Sequence, residues 1–305
     1  MLARCLGPCA AVFLASVVAT PACVRHDRET QITIALTAET MIPKELDGIE
    51  VVVTAPSGSE VSRVFTSVRD GVFFPQTLAI IPADADSLRG AVRIEVSGFV
   101  GATKTQVFRR AIISYVEGRT LFLPMPLRMA CFEYLACGAN ETCAGGECHK
   151  AQVDGASLAD FDEKYVFESA AGDTCFREET CLGGAQKVLT LADDCTFDLP
   201  VDAPVTAGGK PQVNVAIRWH AAMDRIIALD EGDAIEGWTI TAPGTGKLSA
   251  GVCAALKEAA GAPPPGVPDK AEDAWIATAC APKTALQPYC RDRVTNHVGI
   301  GRTLP

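Results

Sequence analysis

The segment Cys131-FEYLA-Cys137-GANET-Cys143-AGGE-Cys148 places four cysteines within eighteen positions. Its short intervals contain Gly and Asn and few large apolar side chains, so hydrophobic burial alone cannot fold it and we expect covalent cross-links. Four cysteines allow three pairings. We predict the interleaved one, Cys131 with Cys143 and Cys137 with Cys148. Each bridge then closes a loop of about a dozen residues and stabilises the fold by about 3 kcal/mol in the chain-entropy model.

Zinc is the alternative use of these four cysteines. Structural zinc sites favour cysteine pairs about two to four positions apart, whereas the intervals here are five, five and four residues. The N-terminus indicates export to an oxidising compartment, which also favours disulfides over metal. The segment therefore predicts a small disulfide knot at residues 131–150, with no metal and no other cofactor.

The N-terminus has the three-part layout of a secretory signal. Arg4 precedes an apolar run from Ala10 to Ala19, and small residues follow up to Ala22. The run is short for a membrane span, and no other stretch approaches the length of one. We predict a signal peptide at residues 1–22 and a polar tether at 23–30, so the mature chain is exported.

Cysteine parity bears on how the exported chain is anchored. Two of the 13 cysteines leave with the signal, and ten others can all pair, which leaves Cys23 alone at the first mature position. Such a thiol is what a bacterial lipoprotein signal provides, because that cysteine takes up diacylglycerol. Ordinary cleavage after Ala22 with a free Cys23 is the alternative, and Thr20 stands where a lipoprotein signal usually has an aliphatic residue. Parity favours lipidation, since an exposed thiol is a liability in an oxidising compartment.

The region from Gln31 to Leu127 alternates apolar and polar residues with a period of two. Candidate strands lie at 31–37, 48–54, 61–68, 76–81, 91–99, 105–115 and 119–127, separated by turn segments. Seven short strands at this spacing, without cysteine, predict an antiparallel Ig-like or transthyretin-like β-sandwich at residues 31–130.

Residues 151–305 predict a second domain, β-rich, stapled by disulfides and carrying one helix. Candidate strands lie at 187–199, 212–219, 223–230, 237–241 and 274–280. The helix is expected at 248–261, where Ser249 can cap it, Gly261 can end it and Cys253 can tie it to the sheet or to the tail. The ten cysteines that we predict to form disulfides are Cys131, Cys137, Cys143, Cys148, Cys175, Cys181, Cys195, Cys253, Cys280 and Cys290.

The acidic stretch from Asp230 to Trp238 is the candidate metal site of the sequence. Asp230, Asp233 and Glu236 offer hard oxygen ligands in a loop that contains Gly, and calcium favours such ligands. The spacing of an EF-hand is absent, and exposed acidic turns are common. We therefore favour a solvated turn over calcium here.

Other chemistry finds little support in the sequence. No nucleophile-elbow or zinc-protease motif occurs, and Gly244-Thr-Gly246-Lys247 departs from a phosphate loop at its first Gly and at Leu248. Paired carboxylates would suit a glycosidase, but the sequence places no two acids face to face. We assign no catalytic residue. With 27 Lys and Arg against 37 Asp and Glu, and a net charge of −10, nucleic acid is excluded as a partner.

The order of parts resembles the uncharacterised secreted, cysteine-containing lipoproteins of the myxobacterial type. The shared plan is a lipoprotein-type signal, a β module with the strand end Leu123-Pro-Met-Pro-Leu127, the four-cysteine knot and elements such as Leu248-Ser-Ala-Gly-Val-Cys253. This group carries no established activity to transfer. The knot is also similar in part to an EGF module, which has six cysteines and often a calcium motif that is absent here.

Two functions remain open at this point. The favoured one is a non-enzymatic, lipid-anchored cell-envelope protein that presents a surface to a protein or glycan partner. The alternative is a secreted hydrolase of envelope glycan or peptide that uses paired carboxylates. Val24 after the lipidated cysteine predicts release toward the outer membrane in a Gram-negative host, with a periplasmic or extracellular location as the alternatives.

Overall fold

The computed structural model describes residues 29–40, 45–66, 74–83, 87–101, 104–163, 175–183, 187–219, 226–259, 271–285, 287 and 289. The predicted signal peptide, most of the predicted tether, Cys23 and Cys290 lie outside these residues. Within the described ranges the protein is mainly β, built from several sheets and stapled by disulfides, as the sequence predicts.

The seven strands predicted in the N-terminal region are all present. They are β1 (Gln31–Ala38), β2 (Gly48–Thr54), β3 (Glu60–Thr66), β4 (Gln76–Ile80), β5 (Ala91–Val100), β6 (Lys104–Ser114) and β7 (Thr120–Leu127). One sheet has the order β4-β1-β7, and the other contains β6-β5-β2-β3. The period-two pattern is borne out because alternate side chains of these strands form one core between the two sheets, including Ile34, Val51, Ile94, Ala111 and Leu123.

One pairing departs from the predicted antiparallel sandwich. β1 and β7 run parallel, from Gln31 opposite Thr120 to Ala38 opposite Leu127. Parallel neighbours need a long crossover between them, and residues 39–119 provide it by passing through the rest of the sandwich. The alternation of side chains is the same in both directions, so the sequence pattern could not reveal this.

Residues 152–161, which fall within the region predicted as the C-terminal domain, contact the N-terminal sheets. The strand at Gln152–Val153 pairs parallel with β6 and becomes the outer strand of the larger sheet. Further on, the Phe161 backbone N–H donates to the Thr120 carbonyl at 2.7 Å, and its ring packs against Phe122 with the centroids 6.1 Å apart. The chain therefore returns to the sandwich after leaving the knot.

The knot contains the interleaved disulfides that the sequence predicts. Cys131 bonds to Cys143 and Cys137 bonds to Cys148. Its second half is a hairpin of β8 (Glu141–Ala144) and β9 (Glu147–Lys150), and the strand at 152–153 is β10. Gly145 and Gly146 turn the hairpin with φ of 59° and 87°, a conformation that favours glycine.

The C-terminal region forms two further sheets. Its strands are β11 (Lys187–Val188), β12 (Thr196–Asp198), β13 (Asn214–Trp219), β14 (Ile226–Ala228), β15 (Trp238–Ala242), β16 (Thr245–Leu248) and β17 (Ala271–Ala277). The sheet orders are β11-β17-β13-β14 and β12-β16-β15. A second core forms between them, around Trp219 and Trp238.

Two α-helices accompany these sheets among the described residues. The short α1 (Glu178–Leu182) was not predicted, whereas α2 (Ala250–Ala259) lies within the predicted helix. The predicted side-chain cap is wrong, because the Ser249 hydroxyl is buried and makes no hydrogen bond. Cys253 of α2 bonds to Cys195 beside β12, so the helix is tied to the sheet and not to the tail.

Two more disulfides staple the C-terminal region. Cys181 of α1 bonds to Cys280, and Cys175 is also disulfide-bonded. Phe176 forms an isolated parallel bridge with Tyr289, and their rings meet edge to face at 5.9 Å. The tail is therefore held against residues 175–181.

Candidate functional site

The most unusual chemistry of the described residues is a cluster of buried charges around Arg128. This residue follows β7 directly, and only 7% of its surface is exposed. Its Nη1 lies 3.0 Å from Glu39 Oε1, and its Nη2 donates to Asp230 Oδ2. Glu39 directly follows β1 of the N-terminal sandwich, whereas Asp230 lies two residues beyond β14 of the C-terminal sheets. One guanidinium therefore joins the two halves of the protein.

The backbone route explains why Arg128 is buried. Leu127 belongs to the N-terminal core, whereas Met129 and Ala130 pack into the C-terminal core. Cys131 then returns to the N-terminal core. Since the chain passes from one core to the other at residue 128, a side chain at this position lies between them.

Glu39 sits in an environment that disfavours its charge. Burial raises the pKa of the Glu39 carboxyl, although the neighbouring Arg128 and the Met129 backbone N–H lower it. That N–H donates to Glu39 Oε2 at 2.7 Å. The balance leaves the pKa of Glu39 above its ordinary value.

Asp230 is the opposite case, because two cations face it. Lys283 Nζ donates to Asp230 Oδ1, and only 2% of Lys283 and 1% of Asp230 is exposed. Burial would raise the pKa of the Asp230 carboxyl, but Arg128 and Lys283 together outweigh that effect and hold the pKa below its ordinary value. Asp230 therefore remains a carboxylate.

The tail is positioned so that Lys283 reaches this carboxylate. Asn214 of β13 accepts a hydrogen bond from the Lys283 backbone N–H at 2.8 Å, and its Nδ2 donates to the carbonyls of Cys280 and Ala281 at 3.1 Å each. The Lys283 ammonium lies 4.8 Å from the centre of the Tyr289 ring. Burial raises the pKa of Tyr289 well above its ordinary value, and its hydroxyl donates to the Ala228 carbonyl at 2.6 Å.

A second set of contacts joins the knot to the acidic turn. Arg109 of β6 lies 2.7 Å from Glu236 Oε1 and donates to the Cys143 carbonyl at 3.0 Å. The Arg128 Nε lies 4.0 Å from the other oxygen of Glu236. At the hairpin tip, a Cβ on Gly145 would lie 2.1 Å from the Ile235 carbonyl oxygen. The backbone of the knot hairpin therefore packs directly against the backbone of the turn at 230–236.

The geometry of these buried charges fits a structural role, in which they hold the N-terminal and C-terminal regions together, better than it fits catalysis. The adjoining cavity, lined by Glu39, Arg128, Lys283 and Tyr289 among others, has a volume of about 10 Å³. That is room for about one water molecule. Each carboxylate is held by a cation, and a sugar or peptide has no space beside them. We call Glu39, Arg128, Asp230, Glu236 and Lys283 the joint cluster.

The candidate calcium ligands do not converge. Asp230 is held by Arg128 and Lys283, and Glu236 is held by Arg109. Asp233 Oδ1 accepts the backbone N–H groups of Ile235 and Glu236 at 2.9 Å each, as an Asx-type turn does. Within the described ranges, no group of three His, Cys, Asp or Glu residues is arranged to hold a metal ion.

The expectation of a solvated acidic turn is wrong for two of its three acids. Asp230 is buried and 6% of the Glu236 side chain is exposed, since both face cations supplied by other elements. Local sequence could not show this, because Arg109, Arg128 and Lys283 are distant along the chain. Asp233, which is half-buried and bonds within its own turn, is closer to the expected behaviour.

Sequence reasoning missed Glu39, Arg128 and Lys283. A signal was present, because Glu39 and Arg128 interrupt otherwise apolar or small-residue stretches, in ALTAETMI and PLRMAC. A lone charge in such a stretch is either exposed at a strand end or buried with a partner. Local sequence does not distinguish these alternatives, because the partners Asp230 and Lys283 are distant along the chain.

No known family model, curated protein or solved structure matches this chain. In the part of the chain that the structure describes, no helix is long and apolar enough to cross a membrane. The disulfides indicate an oxidising, extracytoplasmic environment.

Proposed function

We propose that the protein is a non-enzymatic component of the cell envelope, anchored by lipid on Cys23, that presents a rigid surface to a binding partner. The joint cluster is the observation that carries this proposal. The buried acids that a hydrolase would need are instead paired across two packed units, beside a cavity of about 10 Å³. These buried ion pairs stabilise the contact between the two regions and so keep the binding surface rigid.

A protein partner fits the described surface better than a glycan. Sugar sites commonly stack the sugar ring on an exposed aromatic face, and every described aromatic side chain is at least half-buried. Exposed large apolar side chains occur instead, among them Leu135, Val201 and Ile240. A contiguous apolar patch marks a contact site for another protein, and these three side chains are the positions at which such a contact is tested below.

The hydrolase alternative receives one supporting observation. Glu39 has a raised pKa and lies in the same cluster as Asp230, and perturbed acids gather at active sites. Structural ion-pair networks perturb pKa values in the same way. The absence of space beside these acids favours the structural role.

Anchoring is tested with the wild-type chain and a Cys23→Ser variant in a Gram-negative host. We expect labelled palmitate to enter the wild-type protein only, and the wild-type protein to float with outer membranes while the variant is soluble. An unlabelled wild-type protein found only in soluble fractions would remove lipid anchoring from the proposal.

Binding is tested separately, in living cells, with a photo-crosslinking amino acid placed at Leu135, Val201 or Ile240 in turn. These positions sample the knot, the turn that follows β12 and the strand β15. A discrete adduct with an envelope protein from at least one position is the expected result. If no position yields an adduct, the binding role is wrong, whatever the anchoring experiment gives.

A further inference from the structure

An open groove of about 630 Å³ lies among the described residues of the C-terminal region. Two chain segments line it, 188–192 and 196–202, together with Thr245 and Ile276. Its volume is within the range of about 300–1,000 Å³ that is usual for ligand sites. It is remote in sequence from the knot, and none of the joint cluster lines it.

The groove is the inside of a hairpin whose two arms have separated. The Ala192 N–H donates to the Thr196 carbonyl at 2.9 Å, and the tight turn between them closes one end. Beyond that bond, Thr190 would next face Asp198 and Val188 would face Pro200. The first arm instead joins the sheet of β17, and the second joins the sheet of β16.

The first arm presents unused backbone groups to the groove. Lys187 pairs with Ile276 and Val188 with Trp275, and the Leu189 N–H donates to the Ala274 carbonyl at 2.8 Å. In an antiparallel ladder, bonded and non-bonded pairs alternate. The N–H and C=O of Val188 therefore point away from β17, and β11 is the outer strand of its sheet.

The second arm is arranged in the same way. Phe197 pairs with Gly246, the Leu248 N–H donates to the Cys195 carbonyl at 3.1 Å and the Leu199 N–H donates to the Gly244 carbonyl at 2.9 Å. By the same alternation, the N–H and C=O of Asp198 point away from β16. β12 is the outer strand of its sheet. Two sheet edges thus border one groove.

Side chains give the groove a distinct chemistry. Leu189, Phe197 and Leu199 contribute apolar surface, and Val188 on one arm and Val201 on the other are exposed. Asp198 and Asp202 are also exposed and carry the charge, and the lining residues that the structure describes include no Lys, Arg or His. An extended chain points alternate side chains to opposite sides. A segment with alternating apolar and cationic residues therefore complements both features.

We propose that this groove binds an extended, cationic segment of another protein, which inserts as a strand between the two separated arms. Main-chain hydrogen bonds to an exposed sheet edge supply the affinity in this mode of recognition, and the side chains supply the specificity. Asp198 and Asp202 select the charge. The inference rests on the proposed binding role and names the surface and the chemistry of the partner.

The purified mature protein is tested against three synthetic hexapeptides by fluorescence anisotropy. The first alternates Lys and Val, the second alternates Glu and Val, and the third is the Lys-Val peptide with alternate backbone amides N-methylated. We expect the Lys-Val peptide to bind at least tenfold more tightly than the other two. Equal binding of the Lys-Val and Glu-Val peptides, or no binding of any of the three, would overturn the proposal.

Variants locate the site. Asp198→Lys with Asp202→Lys reverses the groove charge at exposed positions and should weaken Lys-Val binding at least tenfold. Glu60→Lys, an exposed acid on the outer strand β3, is the matched control and should leave binding unchanged. Val188→Pro removes an N–H that faces away from the ladder, a place where proline is tolerated, and should also weaken binding. Equal loss in the Glu60→Lys control would place the peptide elsewhere and refute the groove.

The outcomes separate this inference from the proposed function. Adducts in cells from Leu135 or Ile240 but not from Val201, with no peptide binding at the groove, would refute the groove and leave the binding role intact. A protein that pairs with its own copy through the groove would lose dimerisation in the Asp198→Lys, Asp202→Lys variant during sedimentation. That result would identify the occupant as a second copy and overturn the cationic partner.

Discussion

The Arg128 guanidinium donates to the Asp230 carboxylate across 102 positions of the chain, and both side chains are buried. Arg128 directly follows β7, and Asp230 lies two residues beyond β14. Because burying a charge is costly unless it is paired, each residue requires the other to be present and correctly placed. The pairing therefore couples the folding of the two halves.

Replacing Arg128 tests this coupling. Arg128→Met leaves Glu39 and Asp230 buried with less positive charge, and we expect a loss of about 3–5 kcal/mol in the free energy of unfolding. Arg93→Met is the control, since Arg93 pairs with Glu95 at 3.7 Å and both side chains are about a third exposed. An exposed pair of this kind contributes about 0–1 kcal/mol. Urea unfolding followed by tryptophan fluorescence measures both, and equal effects would contradict the role given to the cluster.

A side chain at Gly145, at the tip of the knot hairpin, is expected to lower the free energy of unfolding. Gly145→Ala adds a Cβ that would meet the Ile235 carbonyl, in addition to the strain of a φ of 59°. Gly118→Ala is a matched control, with a φ of 68° and open space around its Cβ. The control should cost about 1 kcal/mol, and Gly145→Ala at least twice that. Thermal unfolding of the two variants checks the order, and a Gly145→Ala protein as stable as the control would show that the close contact is dispensable.

Acid should weaken the joint through Asp230. Its pKa is lower in the folded protein than in the unfolded chain, where it is about 3.9. The carboxylate therefore stabilises the fold above that pH, and the contribution is lost as the pH falls through the folded-state pKa. Glu39 acts in the opposite sense, because its raised pKa means that protonation in acid favours the folded state.

Asp230→Asn separates the contribution of Asp230 from that of Glu39. We expect its destabilisation relative to wild type to be large at pH 7 and to shrink below about pH 4, where the unfolded-chain carboxyl also protonates. Asp202→Asn, at an exposed position, should show no such dependence. Urea unfolding between pH 2.5 and pH 7 gives both curves, and a pH-independent difference for Asp230→Asn would exclude this linkage.

Cys175 is disulfide-bonded, and we predict that its partner is Cys290. The eight cysteines from Cys131 to Cys280 other than Cys175 are paired among themselves, and Phe176 bridges Tyr289, the residue before Cys290. We expect proteolysis without reduction to release a peptide pair that links Cys175 to Cys290. Recovery of Cys290 as a free thiol would contradict this assignment and the parity argument for Cys23.

The local features of the fold were readable from the sequence, because they depend on near neighbours. The period-two pattern located β1 to β7, and the cysteine spacing located the knot, in which the interleaved pairing chosen among three possible ones is confirmed. The hairpin of β15 and β16 was missed because Gly244-Thr-Gly246-Lys247 was compared with a phosphate loop. Gly244, with a φ of 77°, in fact turns this hairpin.

The long-range features were not readable in this way. The parallel pairing of β1 and β7 and the contact of Arg128 with Asp230 depend on how distant segments meet. The groove likewise exists because two arms of one hairpin join different sheets. The prediction of one strand at 187–199 is wrong, because a turn closed by the Ala192–Thr196 hydrogen bond divides this segment into two arms that join different sheets.

The order of the C-terminal disulfides bears on how the chain matures. Cys195–Cys253 lies within the span of Cys181–Cys280, which are 99 residues apart. A chain that crosses a membrane from its N-terminus exposes Cys181 and Cys195 before their native partners Cys280 and Cys253, and fast oxidation would join these two neighbours first. Correcting such bonds requires thiol–disulfide exchange, which takes seconds to hours depending on the catalyst. We therefore expect the yield of native protein in an oxidising compartment to rise when thiol–disulfide exchange is catalysed.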